Sequence, residues 1–111
     1  MTVFKPHEEQ VLDLLISSVL ASEQIAAIKV KGESIDYHHT GCGYFFSVSH
    51  PCLPQNRIVC HTPMVIGNAD GIECTFLVFI ENGELTIECA TAGIDSIPLN
   101  FRDLNVRVSA A

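Results

Sequence analysis

The chain has 111 residues, 48% of them hydrophobic, and sets 13 Asp and Glu against six Lys and Arg, for a formal charge of −7 and a pI of about 5.0. That length and apolar content fit one domain around one core. The few cations form no basic stripe, which argues against nucleic acid and against an anionic membrane as partners, since both need clustered positive charge. An acidic surface suits solubility or a basic protein partner.

The opening "MTVFKPHEEQVLDLL" does not read as a signal peptide. Lys5 is its only cation, Glu8 and Glu9 precede the apolar run, and no small-residue cleavage site follows. "VLDLLISSVL" is too short to span a bilayer and contains Asp13. The expected location is the cytoplasm. There the five cysteines, an odd number, are reduced thiols rather than a disulfide framework.

A helix is expected from Pro6 to about Ala21. Proline suits the first helical turn, and Glu8 and Glu9 sit where the helix dipole favours negative charge. Val11, Leu12, Leu15, Ile16 and Val19 form an apolar stripe at helical spacing, with Glu9, Asp13 and Ser17 opposite. Everything beyond reads as strand and turn. "IAAIKVKG" alternates from Ile28, and "ESIDYHH" is a second short strand. "CGYFFSVS" places Cys42, Tyr44, Phe46 and Val48 on one face. "RIVCH" sets Ile58 and Cys60 against Arg57, Val59 and His61, and "MVI" is a further short strand. "GNADG" (Gly67 to Gly71) is turn chemistry. In "IECTFLVFIENGELTIECA" two β-rich runs flank Asn82-Gly83, the preferred pair of a two-residue type I′ hairpin. "LNVRVS" closes the chain with Leu104, Val106 and Val108 alternating against polar residues. The expected architecture is α+β: an N-terminal helix packed on a mostly antiparallel sheet of six or seven strands.

"HHTGCGYFFSVSHPCLPQNRIVCH" (His38 to His61) holds four of the five histidines and three of the five cysteines. Pairing Ser49 with Arg57 around the intervening loop brings Val48 opposite Ile58 and Phe46 opposite Cys60. Cys42 and Cys60 then lie among apolar neighbours, as free cysteines usually do. Zinc needs ligands that converge. Cys42 and His50 stand eight residues apart, roughly 26 Å of extended strand, and the adjacent pairs His38–His39 and Cys60–His61 point to opposite faces. No metal site is therefore expected, although a small-ligand or metal-binding domain built on this segment is the alternative to protein binding. Cys52, in a loop between prolines, is expected to pack its thiol inward. The glycines of "GCG" suggest that another group approaches one sheet face closely. With Glu81 opposite Glu84, Cys89 faces Phe76 and Cys74 faces Thr91. The two cysteines are then diagonal, an awkward placing for a disulfide.

The other face of this hairpin carries Thr75, Leu77, Phe79 and Glu81 beside Glu84, Thr86 and Glu88. Large apolar side chains share it with three carboxylates, and it is the candidate interaction surface. The candidate partner-binding residues are Glu81, Glu84, Glu88 and Phe79, with Asp70 and Glu73. No GxSxG, P-loop or GxGxxG is present, so no enzyme and no cofactor are expected.

"TGCGYFF" (Thr40 to Phe46) and "FLVFIENGELTIE" (Phe76 to Glu88), with Pro98 after them, resemble a loosely defined group of small bacterial α+β proteins. The group carries a TGxGxF strand followed by FxxFIExGELxxE. The resemblance covers about Thr40 to Pro98, with Cys89-Ala90 in place of that group's Gly-Tyr and Ile97-Pro98 in place of its Trp-Pro. It implies an immunity-type protein that neutralises a basic toxin domain. A homodimer formed through Leu77 and Phe79 is the remaining expectation.

Overall fold

The computed structural model describes residues 2–91 and 97–110. Two helices, α1 (Pro6–Leu15) and α2 (Ser22–Lys31), precede strands β1 (Glu33–His39), β2 (Gly43–Ser49), β3 (Ile58–Ala69), β4 (Ile72–Glu81) and β5 (Glu84–Thr91). A 3-10 turn (Phe101–Asp103) and β6 (Arg107–Ala110) follow. The six strands form one sheet in the order β1-β2-β5-β4-β3-β6, every pair antiparallel. The α+β expectation is met, with α1 packed across β3, β4 and β6.

The helical stripe holds only as far as the helix does, and Val19, beyond its end at Leu15, is exposed. Val11, Leu12, Leu15 and Ile16 are buried while Asp13 and Ser17 face solvent, each large apolar side chain contributing roughly 1.5–3 kcal/mol. The first helix is shorter than expected, ending at Leu15. "IAAIKVK" is helical rather than extended. Its alternation spans four residues only, and Ile25 and Ile28 supply the one-turn spacing that meets the core, leaving Val30 exposed.

The expected β2–β3 hairpin does not form. β2 lies between β1 and β5, and β3 between β4 and β6. The whole β4–β5 hairpin is inserted between the strands that are neighbours in sequence. The loop joining them folds over the hairpin tip, where the Asn82 and Gly83 N–H groups donate to Gln55 O at 2.9 Å and Pro54 O at 3.0 Å. "RIVCH" and "MVI" belong to one strand, β3, whose register with β4 breaks between Cys60 and Val65. The "GNADG" turn contracts to Asp70 and Gly71, both at positive φ, since Gly67 to Ala69 remain in β3.

The β4–β5 register follows Asn82-Gly83 as read, with Glu81 opposite Glu84, Phe76 opposite Cys89 and Cys74 opposite Thr91. On the helix side, Tyr44, Phe46, Val48, Cys60, Cys74, Phe76, Val78, Leu85, Ile87 and Cys89 are buried. Cys42 is not among them. It precedes β2 and is exposed, its carbonyl accepting the Thr91 N–H at 2.9 Å. The close approach suggested by "GCG" occurs at Gly43, where a Cβ would stand 1.8 Å from Cys89 O. No side chain fits there without moving a central strand. Gly43→Ala should therefore destabilise the fold by about 3 kcal/mol, the upper end of the usual single-substitution range. Urea denaturation, read as a lower midpoint at unchanged m-value, measures it.

Candidate functional site

With α1 packed across one face of the sheet and α2 beside it in the same core, the other face is left open among the described residues. Strand register sorts its side chains into rows. Phe45, Glu88 and Leu77 form one row, Ser47, Thr86, Phe79 and Val59 the next, and Ser49, Glu84 and Glu81 the row at the hairpin tip. Phe45, Leu77 and Phe79 are half-buried, which leaves part of each ring or branch in contact with solvent. The Ser47 and Thr86 hydroxyls bond each other at 2.8 Å across the centre of the face.

Glu81 and Glu84 stand directly opposite at the tip, an arrangement that like charges disfavour. Arg57 relieves half of it. Its Nη1 lies 3.3 Å from Glu81 Oε1, and its guanidinium carbon is 5.8 Å from the centre of the Phe79 ring. Among the described residues, Glu84 and Glu88 have no ion-pair partner. A shallow concavity of about 240 Å³ lies here, lined by Arg57, Phe79, Glu81, Asn82, Glu84 and Thr86.

The structure thus brings Glu81, Glu84 and Phe79 together, with Glu88 four residues, or two rows of the face, further along β5. Glu73 shares the open face but stands at the other end of β4, eight residues and roughly 26 Å from Glu81. Asp70 occupies the β3–β4 turn at that same far end.

The histidine- and cysteine-rich segment is dispersed by the fold. The His39 ring bonds Pro98 O at 3.3 Å and accepts the Gly41 N–H. The His50 ring accepts the Cys52 N–H at 3.0 Å. Among the described residues, no three His, Cys, Asp or Glu side chains come together as a metal ion requires. The Cys52 thiol packs inward, 3.8 Å from Gln24 O, and burial pushes its pKa up. Burial likewise raises that of Cys60. Cys89 is raised by its contact with Cys74 and by burial, so it too rests as a thiol.

Sequence reasoning missed a buried polar centre between α1, β2 and the 3-10 turn. Glu8 is fully buried and His7 nearly so. Glu8 Oε1 accepts the Lys5 N–H and Arg102 Nη2–H, both at 2.8 Å. Glu8 Oε2 accepts Arg102 Nε–H and the Tyr44 hydroxyl, both at 2.7 Å. Four donors saturate one carboxylate, so none of its lone pairs remains for a substrate. The Tyr44 hydroxyl gives its only proton to Glu8 and must accept from His7 Nε2–H, 2.9 Å away. That fixes the His7 tautomer. Burial and the Glu8 charge raise the Tyr44 pKa. The Arg102 guanidinium also lies 3.9 Å above the Phe46 ring and donates to Val3 O at 3.0 Å. This centre clasps the two ends of the chain together and offers nothing to solvent chemistry.

No family model, curated protein or solved structure matches this chain.

Removing one partner of the clasp leaves a buried charge alone. Arg102→Ala should lower stability by about 3–5 kcal/mol, whereas the double variant Glu8→Met/Arg102→Met should recover most of that loss. Chemical denaturation of the variants against the parent reads both. His7 ties this centre to pH. Burial lowers its pKa from 6.5, with Arg102 and Lys5 acting in the same direction and Glu8 opposing them. The unfolded chain therefore binds the proton more readily. This stabilising contribution is complete above about pH 6.5 and is lost as pH falls towards and through the lower folded value. The melting temperature of the parent should fall over that window more steeply than that of His7→Gln.

Proposed function

We propose that this chain is a protein-binding module that receives a basic partner on its open sheet face. One observation carries the reading. Glu84 and Glu88 have no ion-pair partner among the described residues and sit among the half-buried Phe45, Leu77 and Phe79. An apolar centre with carboxylates around it is the anatomy of a non-obligate interface whose partner brings positive charge. The net charge of −7 adds long-range attraction for such a partner. The domain measures 35 × 27 × 25 Å along its principal axes, enough for the ~800 Å² per side that a standard interface uses. A second copy docked through the same face would set Glu81, Glu84 and Glu88 against their own equivalents. Charge therefore favours a different protein over a homodimer through Leu77 and Phe79. The footprint centres on Glu81, Glu84, Glu88 and Phe79, with Glu73 and Asp70 at its distant margin.

The finer form of the proposal is an immunity-type inhibitor acting in the cytoplasm of a bacterium, with a basic toxin domain as its target. The acidic charge, the small single domain and the resemblance over Thr40 to Pro98 support it. A binding role rather than a catalytic one is supported by the saturated bonding of Glu8, the buried carboxylate among the described residues.

The test is parallel capture from a lysate of the source organism at low salt, with the parent and the Glu84→Lys/Glu88→Lys variant as baits. A stoichiometric basic protein should stay on the parent and leave as salt rises, because screening weakens contacts between exposed charges. The variant should fail to hold it while keeping the parent's melting temperature. Equal retention by both baits removes this face from consideration. For the finer form, the captured protein should be toxic when expressed alone and harmless when co-expressed with the parent.

A further inference from the structure

Arg57 is a cation of this chain already seated on the acidic face. Its guanidinium lies over Phe79, within the roughly 6 Å at which a cation is drawn to an aromatic face. It holds Glu81 by a single contact of 3.3 Å and is more than half exposed. The loop before it is pinned to the hairpin tip through Pro54 and Gln55, so the backbone leading to Arg57 is held while one polar contact holds its exposed side chain. Directly across from Glu81, Glu84 has no ion-pair partner among the described residues. The concavity thus offers one aromatic wall and two carboxylates to a single loosely held internal guanidinium.

Resting on the basic-partner reading above, we infer that this concavity is a seat for an arginine side chain of the partner, and that Arg57 occupies it in the free protein as an internal competitor. A planar guanidinium stacks on Phe79 while its forked donors reach both Glu81 and Glu84. A lysine ammonium is a compact point charge that takes the carboxylates without stacking. The site therefore selects arginine over lysine. Binding swings Arg57 aside, and removing Arg57 vacates the seat.

The experiment is calorimetric titration, at low salt, of an arginine-only and a lysine-only peptide of equal length into the parent, Arg57→Ala, Arg107→Ala and Phe79→Leu. Arg107 lies on the short edge strand β6 and loses the same charge on substitution, so it controls for long-range electrostatics. The arginine peptide should bind the parent about fivefold more tightly than the lysine peptide. Arg57→Ala should tighten the arginine peptide by about fivefold again, and by clearly more than Arg107→Ala does. Phe79→Leu should abolish the preference for arginine and keep the lysine affinity. Equal affinity for the two peptides, or equal effects of Arg57→Ala and Arg107→Ala, overturns the inference and leaves the basic-partner reading standing. Weaker binding by Arg57→Ala also overturns it, since Arg57 would then be a contact rather than a competitor. No binding of either peptide to any variant overturns it and counts against the basic-partner reading as well.

Discussion

The buried pair between Glu8 and Arg102 is what the remainder of the molecule hangs on. The two residues lie 94 positions apart and meet against Tyr44 and Phe46 at the sheet surface. An ion pair taken out of water repays its desolvation only when every lone pair and proton is met. Here both oxygens of Glu8 receive two donors each. The same carboxylate caps the first turn of α1 through Lys5 and orients Tyr44, which in turn sets the His7 proton. One side chain thereby couples helix start, sheet face and chain end. An alternative seating of α1 would strand a charge in the core, which is costly.

That packing decides where function has room. Both helices come before the first strand and α1 settles on one side of the sheet, so among the described residues the opposite side remains uncovered. The β4–β5 hairpin then sits between β2 and β3 at the middle of the sheet. Its tip is held by the loop that carries Arg57. The residues proposed to meet a partner are thus mounted on central strands with fixed register. A preformed backbone reduces the ordering cost of association.

Legibility in the sequence followed the locality of each signal. The β4–β5 register was readable residue by residue because Asn82-Gly83 imposes it through two backbone torsions. The open-face set of Leu77, Phe79, Glu81, Glu84 and Glu88 came with it. The stripe on α1 was readable where Val11, Leu12, Leu15 and Ile16 keep helical spacing, and it failed at Val19 because the helix has already ended at Leu15. "IAAIKVK" misled because Ile28 to Lys31 alternates over too few residues to distinguish a strand from a helix. β2 and β3 were paired wrongly because closeness in sequence says nothing about a hairpin inserted later between them. Cys42 was misplaced because its parity was carried one residue past the start of β2. The Glu8–Arg102 pair had no local signal at all. The nearest hint was Tyr44, a phenol on an apolar face, whose hydroxyl had to find a partner somewhere.

The hairpin tip shows what the open face costs the folded chain. Glu81 faces Glu84 across a non-adjustable turn, and Arg57 offsets only one of the two charges. Replacing Glu84 by threonine would serve the strand better on propensity and on cross-strand pairing alone. A local choice that opposes the fold marks a position answering to something outside it. Among the described residues, some surface carboxylates are paired within the chain and others are not. Asp13 is answered by Lys29 and Asp103 by Lys5, each at under 3 Å, and those pairs are internally complete. Among the described residues, Glu84 and Glu88 are left unanswered on a surface that also keeps three large apolar side chains half exposed. On the proposed reading, unpaired charge and uncovered apolar area coincide there because one partner surface would relieve both.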